Sequence, residues 1–378
     1  MYKDSVVIIG NDHHNTLGLI RSIGCKNIPI YLIVLTQKKK AFITKSKYIT
    51  EYYLSRDEDE CLKQIKMLKD YFKSKSLILT SCDSAALFVD KNKDFLKKHF
   101  IISLAATKYG GIQNLMDKNI TNRLAAECGF NLPKTWCVTK QTYSDFEANI
   151  VPKIHFKCII KPYMSVKGSK DEIIICESKE ELCYNIQLLL TTIDSIQVQQ
   201  FIDKDYEMSV LGCATKSGKV ITPGIIRKIR EYPFNMGSSS FSVMKPELQN
   251  YINKEQIKQF VKKIDYNGLF SIEFVVKNDK LFFLEINLRN DGNGYVPIAD
   301  NVNLPYIYYL DSIGREIADE KKEIKKSIYF MIEINDIKYM LKKPLSPVKW
   351  LKSLFKTDCF LLWSKKDIKP FIYKFIYG

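Results

Sequence analysis

The stretch from Phe270 to Arg289 constrains this chain more than any other. Two β-rich runs, Phe270-Ser271-Ile272-Glu273-Phe274 and Phe283-Leu284-Glu285-Ile286-Asn287-Leu288-Arg289, each hold a carboxylate in apolar company. A carboxylate inside a buried strand is costly unless a cation neutralises it. In the second run Glu285, Asn287 and Arg289 are spaced by two, so on a strand all three project from one face. Two carboxylates and an amide oxygen form a hard donor set suited to Mg²⁺, an ion commonly bound together with phosphates. Two surface strands with polar outer faces would explain the second run alone, but they explain less once the rest of the chain is read.

Glu273 and Glu285 can meet one ion only if their strands pair with both on one face. A two-residue turn at Asn278-Asp279 would set Lys277 opposite Lys280 and Glu273 opposite Leu284, sending Glu285 to the other face. The expectation is therefore a three-residue loop, Asn278-Asp279-Lys280, or a β-bulge that restores the shared face.

Upstream, the chain opens β-turn-helix. Val6 to Ile9 reads as a buried parallel-type strand, and Asn15 or Thr16 can cap a helix that stops at Gly24. Ile30 to Leu35 and Leu77 to Thr80 read as further strands. The loop from Gly10 to Gly18 is not GxGxxG, so dinucleotide binding is not supported. Asp83 follows a strand end and is either a substrate contact or a helix N-cap. Next come a helix from Lys118 to Gly129 and strands at Trp136–Val138, Cys158–Pro162 and Ile173–Cys176. A capping box, Ser178-x-x-Glu181, starts another helix. Strands at Ser195–Phe201, Glu207–Gly212 and Val220–Ile226, a polar loop and a helix from Lys254 to Tyr266 lead into the carboxylate strands.

With 378 residues the chain is long enough for two or three domains. Ten cysteines without a CxxC pair read as a cytoplasmic set, and four histidines make no zinc pattern. His13-His14 reads as a loop feature. No basic leader with an apolar core opens the chain, and no apolar run is long enough to span a bilayer. The net charge is +16, and residues 321–378 hold 14 lysines against five acidic residues. Such a tail fits an anionic membrane, a nucleic acid or simply a solvated lysine face; the last is favoured, with no nucleic-acid partner expected. Val348, Leu351, Leu354 and Phe355 fall at helical spacing among Lys349, Lys352 and Lys356. This is either an interfacial amphipathic helix or a stripe docked on the protein's own core. Docking on the body is the expectation for 345–378, and membrane association is disfavoured.

Met116-Asp117-Lys118, Ile159-Ile160-Lys161-Pro162, Val198-Gln199-Gln200-Phe201-Ile202, Glu207, Glu273 and Glu285-x-Asn287-x-Arg289 occur in an order that resembles the ATP-grasp superfamily. The likeness is greatest to its carboxylate–amine-ligase and carbamoyl-phosphate-synthase-like branch, which includes D-aspartate ligases. The resemblance implies an α/β chain: an N-terminal Rossmann-like parallel-sheet domain (1–112) followed by a two-part α+β ATP-grasp module. The module's small subdomain would span 113–194 and its catalytic subdomain 195–312, with a basic extension over 313–378. It implies ATP and Mg²⁺, two ions with Mn²⁺ able to substitute, at Glu273, Glu285 and Asn287. Lys118 and Lys161 take the phosphate-binding places, and Ser165, Lys167 and Gly168 belong to a phosphate-covering loop. Gln199, Gln200, Phe201 and Ile202 line the adenine, with Glu207 at the ribose. Arg289, Arg227 and Arg230 would stabilise charge on the transferring phosphoryl group, and Asp83, Ser238 and Ser239 would touch substrate. The implied activity joins a small-molecule carboxylate, activated as an acyl phosphate, to an amine. Bicarbonate activation and nucleotide binding without turnover are the alternatives, and a homodimer is left open.

Overall fold

The computed structural model describes residues 5–162, 174–234, 237–246, 252–342 and 346–377. It divides into two compact units. One comprises Met1–Ile112, Met208–Ile272 and Ile286–Gly378; the other comprises Gln113–Glu207 and Glu273–Glu285.

The N-terminal sheet has four parallel strands, β1 (Val6–Asn11), β2 (Ile30–Leu35), β3 (Glu51–Ser55) and β4 (Leu77–Thr80), in the order β3-β2-β1-β4. β1, β2 and β4 are buried on both faces, which explains their unbroken apolar runs, whereas β3 at the edge is partly exposed. Val6, Ile8 and Leu32 pack with Leu17 and Ile20 on one side, while Val7, Ile9 and Ile33 pack with Cys61, Ile65 and Phe88 on the other. The first helix is His14–Gly24, and its cap is His13 rather than Asn15 or Thr16: the His13 ring accepts from the Asn15 N–H. Gly10 is required there, because a Cβ would lie 1.8 Å from Ser81 Oγ and 2.7 Å from Thr16 Oγ1.

The second unit holds a four-stranded antiparallel sheet of β5 (Thr135–Thr139), β6 (Cys158–Pro162), β7 (Ile174–Cys176) and β8 (Ser195–Gln200), in the order β5-β8-β6-β7. Helix Lys179–Leu189 is capped by Ser178, which accepts from Glu181 N–H, and it buries Leu182 and Ile186 under the sheet.

The remaining sheet contains β9 (Tyr206–Ala214), β10 (Val220–Ile221), β11 (Ile225–Tyr232), β12 (Ser238–Lys245), β13 (Gly268–Lys277), β14 (Lys280–Asn287), β15 (Ile328–Met331) and β16 (Cys359–Phe360). Its order is β14-β13-β9-β11-β12-β15-β16, with β10 on β9. Two sequence expectations change here. The strand read over Val220–Ile226 is two strands, and the polar loop that was to follow is mostly the β11–β12 pair. Alternating polar residues along β11 face partners the sequence did not reveal.

Candidate active site

Within the second unit, Lys118 is the first residue of helix Lys118–Glu127, whose cap Asp117 accepts from Asn119 N–H at 2.8 Å. Its ammonium lies 3.3 Å from Glu285 Oε2. Lys161 stands on β6 directly opposite Gln197 of β8, and Ile159 stands opposite Gln199. Directly paired residues share a face, so Lys161, Gln197 and Gln199 line one side of this sheet. Lys161 Nζ donates to Gln199 Oε1 at 2.8 Å, and Gln199 Nε2 donates to Thr135 Oγ1 at 3.0 Å. Gln199 therefore orients the lysine, which differs from its expected place beside adenine.

Gln197 is fully buried, and neither atom of its amide has a partner among the described residues. Burial pushes the Lys161 ammonium down to about 7; the neighbouring Lys118 charge adds to this and Glu285 opposes it. Among the described residues, two ammonium groups thus sit by the Glu285 carboxylate beside an unsatisfied amide. The set fits a polyanion carrying both negative charge and acceptor oxygens. Sequence reasoning missed Gln197. The signal was available, since antiparallel pairing with the Lys161 strand puts alternate residues of Gln197-x-Gln199 on the lysine's face.

Two further expectations for this unit shift. The Gln200 and Phe201 N–H groups donate to the Lys134 and Lys157 carbonyls, so those donors are not available to an adenine edge. Glu207 is ion-paired to Lys204. Ser165, Lys167 and Gly168 lie outside the described residues.

The turn between β13 and β14 is two residues, not three. Asn278 and Asp279 have φ of 49° and 59°, the left-handed pair of a type I′ hairpin. Asn287 Nδ2 donates to Ser271 Oγ at 3.3 Å, so these two share a face. Phe274 and Phe283 also share a face, with ring centroids 6.2 Å apart and both rings against Phe130. Among the described residues no three His, Cys, Asp or Glu side chains cluster as a metal centre. Glu273, Glu285 and Asn287 offer two carboxylates and an amide, a set that suits Mg²⁺ only when phosphate oxygens and waters complete the shell.

Within the first unit, Arg289 Nε donates to Asp83 Oδ1 at 3.0 Å, Nη2 to Asn287 Oδ1 at 3.1 Å and Nη1 to the Asn290 carbonyl at 3.2 Å. Asp83 is the first residue of helix Asp83–Lys91, not its cap, and its carboxylate holds Arg289. Ser271 Oγ donates to Asp291 Oδ2 at 2.8 Å. Asn290 N–H donates to the Thr80 carbonyl, and its side chain donates to Asn15 Oδ1 at 2.6 Å. These bonds fasten Arg289 and its neighbours at the carboxyl edge of the parallel sheet, where open α/β sheets bind ligands.

Arg230 and the serines are placed differently from expectation. The β11–β12 ladder is irregular on both sides of Arg230. Its guanidinium makes a two-point pair with Asp336, at 2.9 and 2.8 Å, and stacks 4.3 Å over Phe241. Asp336 is fully buried and also accepts from Ser240 Oγ and Trp350 Nε1. Arg230 therefore holds the fold here and is withdrawn from the catalytic set. Ser239 is buried within β12, whereas Ser238 is exposed at its start. Arg227 is exposed on β11, opposite Val243.

The family model of the ATP-grasp domain matches residues 123–302. A formate-dependent phosphoribosylglycinamide formyltransferase of Nitratiruptor sp. is 30% identical over 184 residues, covering 47% of this chain and 45% of that one. The enzyme of the same name from Francisella tularensis is 27% identical over 186 residues. The chain spans about half the length of the curated relatives it matches. Among solved structures, the ADP complex of N5-carboxyaminoimidazole ribonucleotide synthetase superposes with a TM-score of 0.67 at 13% identity, covering 90% of this chain and 86% of that one. An L-amino acid ligase from Bacillus licheniformis gives 0.64 at 15%, covering 87% and 80%. At such identities the likeness is one of fold.

Proposed function

With residues 123–302 belonging to the ATP-grasp family, we propose that this chain is an ATP-dependent ligase that activates a small-molecule carboxylate and joins it to an amine. One observation supports this most: two ammonium groups, Lys118 and Lys161, sit by the Glu285 carboxylate beside the Gln197 amide, which has no partner among the described residues. A triphosphate answers both needs. Mg²⁺, when bound at Glu273, Glu285 and Asn287, would neutralise phosphate oxygens and help align them.

The chain's own groups would do the rest. Lys118 and Lys161 hold phosphate oxygens, with Gln199 fixing the Lys161 ammonium. Arg289, steadied by Asp83, and Arg227 stabilise charge on the transferring phosphoryl group. A substrate carboxylate oxygen attacks the γ-phosphorus and ADP leaves. An amine nitrogen then attacks the acyl carbon, inorganic phosphate leaves and the amine gives up a proton. No protein nucleophile is used; positioning and exclusion of water from the acyl phosphate are the protein's task.

Incubating the chain with ATP, Mg²⁺ and panels of carboxylates and amines tests this. The expected result is ADP release that requires an acid, with an amide mass when an amine is also present. Glu285→Gln should abolish turnover and weaken Mg·ATP binding. Unchanged ADP release in that variant would exclude Glu285 from the metal site.

A further inference from the structure

Helix Pro347–Lys356 was expected to dock its stripe of Val348, Leu351, Leu354 and Phe355 on the core; Leu354 is half-buried, but the other three face outward. None of its residues is buried. Phe355 is 91% exposed, Val348 60% and Leu351 47%. It is anchored instead by polar groups: Trp350 Nε1 donates to Asp336 Oδ2 at 3.0 Å, and Ser353 Oγ accepts from Arg230 Nη1 at 3.1 Å. At 100° per residue, Trp350 and Ser353 lie on one side, while Leu351, Phe355 and Val348 lie together on the other, flanked by Lys352, Lys356 and Lys349.

The chain that follows the helix is held. At its C-terminal side β16 pairs with β15, Leu361 and Leu362 are buried, and buried Asp367 is ion-paired to buried Arg21. Helix Lys369–Tyr377 is held differently but also exposes apolar groups. Phe371 and Tyr373 pack on the core, while Ile372, Phe375 and Ile376 stay exposed. Anchoring an amphipathic helix by its polar side presents the apolar side outward, which costs solubility unless something covers it.

Charge selects the occupant. The helix carries three lysines and no acidic residue, within the segment 321–378 that holds 14 lysines against five acids. A second copy meeting it face to face would bring lysine against lysine. Lipid headgroups of negative charge complement the lysines, and the acyl boundary accepts the apolar stripe. No helix among the described residues is long and apolar enough to cross a membrane, so the helix would lie in the interface. We propose that helix Pro347–Lys356 docks this protein on an anionic phospholipid bilayer.

The test is flotation of the full chain with phosphatidylcholine vesicles, with and without phosphatidylglycerol. Binding is expected only with the anionic lipid, weakening as salt rises. Each lysine among Lys349, Lys352 and Lys356 changed to Gln should weaken it by about fivefold. Leu351→Glu with Phe355→Glu should abolish it while the far-UV spectrum and melting temperature are kept, because both side chains are exposed. Equal binding to neutral vesicles, or no flotation of the unaltered chain, overturns the proposal. So does a sedimenting dimer that Phe355→Glu converts to monomer, which would assign the stripe to a second copy.

Discussion

Lys161 and Arg230 are both cations on strands, and both carry a functional expectation from sequence. Their surroundings differ. Arg230 is 9% exposed and meets Asp336 through two parallel hydrogen bonds, so its charge is matched inside the fold. Lys161 meets a neutral amide, a second lysine and one shared carboxylate, and its ammonium is pushed down to about 7. A buried cation whose anion is already present stabilises the chain, whereas one whose anion is missing awaits a ligand. Sequence cannot separate the two, because Asp336 lies about a hundred residues from Arg230 and gives no local sign of the pairing.

Breaking the matched pair should give the largest effect. Asp336→Ala strands the Arg230 charge and leaves Ser240 and Trp350 without their acceptor, costing about 3–5 kcal/mol. Urea melts would show it. ATP affinity of the molecules that remain folded should be unchanged. Loss of affinity with full stability would reverse the roles assigned to Arg230 and Lys161.

Breaking the unmatched site should do the opposite. Lys161→Met is expected to leave stability equal or higher, since a costly buried ammonium is gone. ADP release should fall by roughly 10²–10³-fold, the usual cost of removing one charge-stabilising donor. Turnover assays beside thermal melts separate the two quantities.

The pH dependence sharpens the contrast without mutation. The folded Lys161 titrates near 7 and the unfolded one at the ordinary lysine value. Between these the free folded chain binds fewer protons than the unfolded chain, so this site's contribution to stability rises with pH. A bound polyanion favours the charged ammonium, so ATP affinity should fall by about tenfold per pH unit above 7, with proton uptake on binding. Calorimetry in buffers of different ionisation heat measures the uptake. No uptake at pH 8 would place the phosphates away from Lys161.

The parts of the fold legible in sequence were those written in local pattern. The runs Val6–Ile9, Ile30–Leu35 and Leu77–Thr80 could only be buried strands, and Ser178-x-x-Glu181 marked its helix start. The two-residue turn was written there too, since Asn-Asp suits two left-handed residues; the need for a shared carboxylate face argued for the longer loop. Strands β11 and β12 were hidden because Arg227-Lys228-Ile229-Arg230 and Ser238-Ser239-Ser240 look like solvent loops. Their partners, Asp336 for Arg230 and Ser240 and Phe330 for Ser242, are brought in from the far end of the chain. Of the candidate site, Lys118, Lys161 and Glu285 stood out by type and order, and the structure brings these three together. Gln197 required knowing which strand pairs with which.

That residue carries the smallest effect and the cleanest test of the comparison. An amide buried without partners loses its hydrogen bonds to water and gains none from the protein. Methionine has a similar length and no such need. If Gln197 sits unsatisfied in the free protein, Gln197→Met should raise stability by about 1–3 kcal/mol, read by urea denaturation. If its amide serves the bound ligand, the same change should weaken ATP binding by up to about tenfold, the worth of one ordinary hydrogen bond. A gain in one quantity with a loss in the other is the signature of a group retained for its ligand. Loss in both would mean that the amide already has a structural partner. The unmatched character of this face would then rest on the lysines alone.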